Sequence, residues 1–243
     1  MVSSSLILAA LAAVASAAPR ACKAPPALIL PKVGGDTQLP APATNLRVKK
    51  IALGHGIQNY TCASPDAEPA ATGALAVLYD VTSLFPGTRR TGVSQQAWDA
   101  LPSTVLHGQA LPLNVLEGSQ FGADASTPFP APADLAVPDA AAKFLGHHFF
   151  DAAGVPVFDL AEAGLQAAVK KDAGVPAPAD ADKGPLGTGA VAWLKLDDNG
   201  KGRSKGLATV FRVVTAGGNP QACGSVGEGT QSVPYATYYW FYG

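Results

Sequence analysis

Two apolar runs, Ala190–Leu196 and Leu207–Val214, flank a charged, glycine-rich stretch at Asp197–Gly206. Each run is short and rich in Val, Leu, Phe or Trp, which predicts strands. In the second run Leu207, Thr209, Phe211 and Val213 point one way, and Ala208, Val210, Arg212 and Val214 the other. The polar stretch belongs in water. Residues 189–223 therefore predict a long β-hairpin that ends in a tight turn at Gly217-Gly218 and a cysteine, Cys223.

The same reading extends along the chain. Leu46 and Val48 alternate with Arg47 and Lys49 and predict a half-buried strand that runs through Ile51–Leu53 into Gly54-His55-Gly56. A second strand is expected at Ile57–Cys62, and a third at Gly73–Val81, where Leu75, Val77, Tyr79 and Val81 share a face. Residues 82–143 are less regular and read as an insertion laid over the sheet. There Ser94 is placed to cap a short helix through Trp98 and Leu101, which Pro102 should end. Phe129–Pro138 reads as loop. Phe144–Phe150, the turn Asp151–Gly154 and Val155–Leu160 predict a second hairpin. Gly164–Asp172 fits a helix or a strand, and its all-strand surroundings favour the strand. Tyr235–Tyr242 holds four of the six tyrosines and is apolar in both registers, so it is expected to be a central strand covered on both sides. The fold class predicted is all-β: a single-domain β-sandwich or distorted barrel over residues 45–243, with a partly helical insertion at about 82–143.

Composition agrees. The 243 residues are 48% hydrophobic and only 14% charged, so a substantial core can form. The net charge of −1 offers nothing to steer nucleic acid. Residues 1–17 read as a signal peptide, with an apolar core at Leu6–Val14 and Ala15-Ser16-Ala17 before the expected cut. Met1–Ser5 departs from that pattern by carrying no Lys or Arg. Residues 18–44 form a Pro-rich lead-in that should lie extended. No other apolar run approaches the ~20 residues of a membrane span, and no hydrophobic C-terminal tail suggests a lipid anchor. A secreted, extracellular protein is expected.

Several segments carry a resemblance. They are Gly54–Cys62, Gly73–Asp80, Gly146–Phe149, Pro156–Phe158, Ala190–Leu194, Phe211–Gly218, Pro220–Cys223 and the aromatic end. In this order they resemble a family of secreted fungal and bacterial proteins of unknown function, whose members are often labelled malate dehydrogenase in fungal genomes. The resemblance implies a β-rich fold and assigns no activity to named residues. Cys62 and Cys223 each close one of these segments, whereas Cys22 lies in the lead-in, so the expected disulfide is Cys62–Cys223. If Cys62 points inward, Tyr60 and Gln58 share its side, and Asn59 and Thr61 face out. Asn59-Tyr60-Thr61 is a glycosylation sequon, and Asn59 is the expected acceptor.

Candidate chemistry is sparse. A dehydrogenase should keep a dinucleotide fingerprint, with a strand before its glycines and a helix after them. Gly54-His55-Gly56 lacks the third glycine, and Gly187-Thr188-Gly189 is followed by a strand, so no cofactor is expected. The weak metal candidates are His55, His147 and His148, with Asp80 or Asp151 as an added acid, but no spacing supports them. Adjacent histidines on a strand face opposite ways, so His147 and His148 should not share an ion. Ser119 and Ser225 do not fit a nucleophile elbow. Asp80, Asp99, Glu117, Asp151, Asp159 and Glu162 are the stock for paired-carboxylate chemistry. The C-terminal aromatics read as core before sugar platform, and Arg212 as a face-exposed or ion-paired residue. The function expected is a non-catalytic secreted protein that binds or builds at the cell surface or wall, its partner a cell-wall polysaccharide or a surface protein. The alternative is an extracellular enzyme, either a carbohydrate-active hydrolase or a small metalloenzyme at His55 and His147 or His148.

Overall fold

Strand pairing decides the architecture. The computed structural model describes residues 27–33, 37–138 and 140–243. The expected signal peptide and Cys22 lie outside them. Nine strands occur among the described residues: β1 (Val48–Cys62), β2 (Ala70–Asp80), β3 (Leu135–Val137), β4 (Ala140–Phe150), β5 (Pro156–Leu160), β6 (Leu165–Val175), β7 (Trp193–Asp198), β8 (Thr209–Gly217) and β9 (Gly229–Tyr242). Two helices join them, α1 (Gln95–Gly108) and the single turn α2 (Cys223–Val226). The strands run in the order β2-β1-β9-β8-β7-β6-β5-β4-β3, and β4 also pairs with β2. All pairs between named strands are antiparallel. With β3 attached only to β4, eight strands close into a ring. The fold is all-β, as expected, and the choice between sandwich and barrel falls to a single sheet closed on itself.

The period of two gives the ring an inside and an outside. The inner face is packed by Ala52, Leu78, Leu145, Phe158, Val169, Leu196, Val210 and Tyr239, one side chain from each ring strand, all buried. The outer face of β1, β2, β8 and β9 carries Leu53, Val77, Phe211 and Trp240. Onto it fold Trp98, Leu101 and Val105 of α1, Leu135 and Val137 of β3, and Leu28 and Leu30 of the lead-in. Each fully buried large side chain is worth ~1.5–3 kcal/mol, and β9 supplies five of them between Tyr235 and Phe241.

Three expectations need correction. β1 is one strand of 15 residues, not two. Gly54 and Gly56 do not break it, because β2 and β9 pair with it on both sides. A Cβ at Gly54 would stand 2.6 Å from the Tyr239 ring, so the bare backbone is required there. The segment expected to be loop at 129–138 contains β3. Pro102 lies inside α1 and does not end it. Ser94 does cap the helix, accepting a bond from the Ala97 amide. Proline at 102 has no N–H for the carbonyl of Trp98, and the Tyr238 hydroxyl of β9 donates to that carbonyl instead, at 2.7 Å. The helix continues because the sheet satisfies the orphaned oxygen.

The ambiguous segment after Gly164 is strand β6. The hairpins β4–β5 and β7–β8 form where expected. The alternation read along the second apolar run holds from Thr209 to Val213 and fails on either side: Leu207, expected on the face of Phe211 and Val213, precedes β8 and packs with Val210 instead. Val214 has φ 51° within a bulge between Val213 and Ala216.

Candidate functional site

The histidines chosen from the sequence do not converge. His55 sits on β1 opposite Val77 of β2, and Val77 is opposite His147 of β4. Two strand spacings therefore separate His55 from His147, about 10 Å. His148 faces the other side of the sheet. Its ring stacks on Phe158 at 4.0 Å, and Nδ1 donates to the Val157 carbonyl at 2.8 Å. His147 is half-buried and stacks on Phe129 at 4.0 Å. Burial lowers the pKa of His55 and of His148 to about 4, so both rings are neutral. Asp80 pairs with Lys50 at 2.6 Å, and Asp151 pairs with Arg203. Among the described residues no three His, Cys, Asp or Glu gather as an ion would need.

The cysteine pairing does form: Cys62 at the end of β1 is bonded to Cys223 at the start of α2, closing a separation of 161 residues. On β1, Gln58, Tyr60 and Cys62 are buried, and Asn59 and Thr61 are half-buried on the opposite side. The Asn59 side-chain oxygen accepts a bond from Ser232 at 2.8 Å. Neither glycine pattern opens a helix. Gly54-His55-Gly56 lies inside β1, and Gly187–Gly189 leads to a bridge between Ala190 and Gly218.

Chemistry gathers elsewhere, in a cleft of about 470 Å³ between α1, the segment at 178–182 and the β8 bulge. Asp99 and Ser103 come from α1, Asp180 and Asp182 from the segment, Trp193 from β7, and Val214 and Thr215 from the bulge. Ser103 and His107 are four residues apart and thus on one face of the helix. Both bond Asp182: the Ser103 hydroxyl donates to one carboxylate oxygen, and His107 Nε2 lies 2.9 and 3.1 Å from the two oxygens. The Gly184 amide adds a third bond at 2.8 Å. Burial opposes ionisation of Asp182, but the bonds from Ser103, Gly184 and His107 outweigh it and hold the carboxyl below its ordinary range. This is not a nucleophilic triad. The carboxylate stands between hydroxyl and imidazole, so the histidine does not take the serine's proton.

The rest of the cleft is polar in a particular way. Asp99 accepts one bond, from Gln95 at 2.8 Å. Thr215 donates to the Val191 carbonyl at 2.6 Å, which pins the segment before β7 over the bulge. Trp193 is 4% exposed, and its indole nitrogen has no partner. A buried N–H without an acceptor costs ~1–3 kcal/mol. Val214, a β-branched residue in left-handed backbone, is held there at a further cost of ~1–3 kcal/mol. The cleft thus offers carboxylate acceptors and hydroxyls, and one of its lining residues, Trp193, keeps a buried N–H without a partner. Of its acids, only Asp99 was in the stock drawn from the sequence. Asp180 and Asp182 were missed, and the usable signal was the Ser103/His107 spacing on a capped helix.

Among the described residues no helix is long and apolar enough to cross a membrane. No curated protein and no solved structure matches the chain. One family model does match, described as a protein of unknown function (DUF3455), over residues 42–243. That interval takes in every strand of the ring, the disulfide and the cleft, and the chain belongs to this family.

Proposed function

We propose that the chain is a secreted protein that works outside the cell by binding, and that the cleft between α1 and the β8 bulge takes a polyhydroxylated ligand, a cell-wall polysaccharide. Three acids and two hydroxyl residues line it, and carboxylates accept from sugar hydroxyls through charge-assisted bonds. The observation that carries the reading is the buried Trp193 N–H, which lacks an acceptor in the protein and would find one in a ring or hydroxyl oxygen of a sugar. Secretion is supported by the Ala15-Ser16-Ala17 pattern after an apolar core and by a disulfide suited to an oxidising compartment.

The test is retention of the purified full chain on insoluble wall glucan and chitin, compared with Trp193→Phe. That variant keeps an aromatic ring and deletes the N–H. Loss of one hydrogen bond should weaken retention about threefold to tenfold, with melting checked in parallel. No retention by the natural chain, or equal retention by a folded variant, defeats the reading. Release of reducing sugar in the same samples would move the protein to the hydrolase class.

A further inference from the structure

A second hollow, of about 560 Å³, lies on the other side of the segment that walls the acidic cleft; Pro178 and Ala181 line both. Its charge is the opposite. Lys171 and Lys183 line it, and no acid does. Among the described residues neither lysine has an ion-pair partner. The neighbouring acids are engaged elsewhere: Asp172 with Lys195 at 2.7 Å, and Asp182 with Ser103 and His107. A third cation stands behind the wall. Arg212 points inward from β8, and its Nε and one Nη donate to the carbonyl of Ala192, a lining residue, at 3.1 and 2.9 Å. Arg212 has no carboxylate partner among the described residues either.

The lysine head at 171 is placed by the backbone beneath it. β6 carries a bulge between Lys171 and Ala173, the kind of irregularity that re-aims a side chain. Gly174 follows, also in the lining. A Cβ there would stand 3.0 Å from Lys171 Cε and 3.3 Å from its Nζ. The ammonium therefore rests over bare glycine at the rim of the hollow. Two unpaired lysines on one concave surface, with a third cation behind its wall and no anion in the lining, leave a positive potential that a counter-charge would relieve.

We infer that this hollow binds the anionic group of a small oxyanion, a carboxylate or a phosphate, separately from any ligand of the acidic cleft. Lysine reads charge more than shape, so both probes belong in the test. The isotope-labelled full chain is titrated at low ionic strength with citrate and, separately, with inorganic phosphate. Saturable shifts at the amides of Gly174, Ala190 and Ala192 are expected with one or both, and the stronger probe identifies the group. Lys171→Met with Lys183→Met should weaken binding about tenfold, as two exposed charge contacts would. Gly174→Ala should weaken it at unchanged net charge, because it displaces the Lys171 head. Lys201→Met, on the exposed loop after β7, should change nothing. Shifts that do not saturate, shifts confined to other residues, or equal weakening by Lys201→Met would each overturn the assignment. None of these outcomes bears on glycan retention, so this site and the cleft stand or fall separately.

Discussion

At the scale of single residues, the buried histidines set how the protein answers acid. His55 and His148 both have pKa values lowered by burial to about 4 in the folded chain, against ~6.5 when unfolded. Between those values the unfolded state binds more protons than the native state, so stability rises with pH there. The contribution is full above about pH 6.5 and is lost as pH falls towards 4, at a limiting cost on the order of 3 kcal/mol per histidine. His147, also lowered by burial and only partly offset by Asp159, adds a loss of the same sign. Denaturant titrations at pH 7 and pH 4.5 should show a large drop in stability. In His55→Leu the drop should shrink, at little cost at pH 7, because Nδ1 of His55 bonds nothing there. An unchanged pH slope in that variant would show that other groups carry the acid response.

At the scale of elements, α1 depends on β9 through one hydroxyl. The Tyr238 hydroxyl serves the Trp98 carbonyl that Pro102 abandons, and the two rings stack at 4.3 Å. Tyr238→Phe should therefore cost about 1–2 kcal/mol by leaving a buried carbonyl unpaired. In a Pro102→Ala background the helix supplies its own N–H, and the same substitution should cost clearly less. A double-mutant cycle by chemical denaturation measures the difference, and additivity within about 0.3–0.5 kcal/mol would refute the link. This dependence also explains what could be read in advance. Hairpins β4–β5 and β7–β8 and the central place of β9 follow from local apolar runs and turn residues, and they were legible. The cysteine partners were legible because each closes a segment of the family pattern. Continuation of the helix past Pro102 was not, since its rescue lies 140 residues from Trp98. The unbroken β1 was missed because Gly54 looks like a break until the Tyr239 ring is set against it. The cleft was hidden for the same reason: Asp180 and Asp182 sit in a Pro-rich stretch and acquire meaning only beside α1.

At the scale of the whole molecule, closure rests on the seam between β1 and β9, which pair from Val48–Tyr242 to Cys62–Gly229. The disulfide fastens the same end of the ring, and closing a loop of 161 residues is worth about 5 kcal/mol in the chain-entropy description. β9 also joins β8, so its removal leaves two open edges and uncovers both faces. A chain ending at residue 228 should be degraded by protease under conditions that spare the full chain, and should show no cooperative melt. A cooperative transition near the full-length value would mean that the ring is not the folding unit. The seam has a further meaning in time. A ribosome makes β1 well before β9, so the strand that completes β1 does not exist until every strand from β2 to β8 has been made. Until then β1 has one neighbour at most, and the side chains that β9 will cover stay uncovered. Long-range pairings of this kind fold slowly, and a growing chain in that state is a natural client for chaperones.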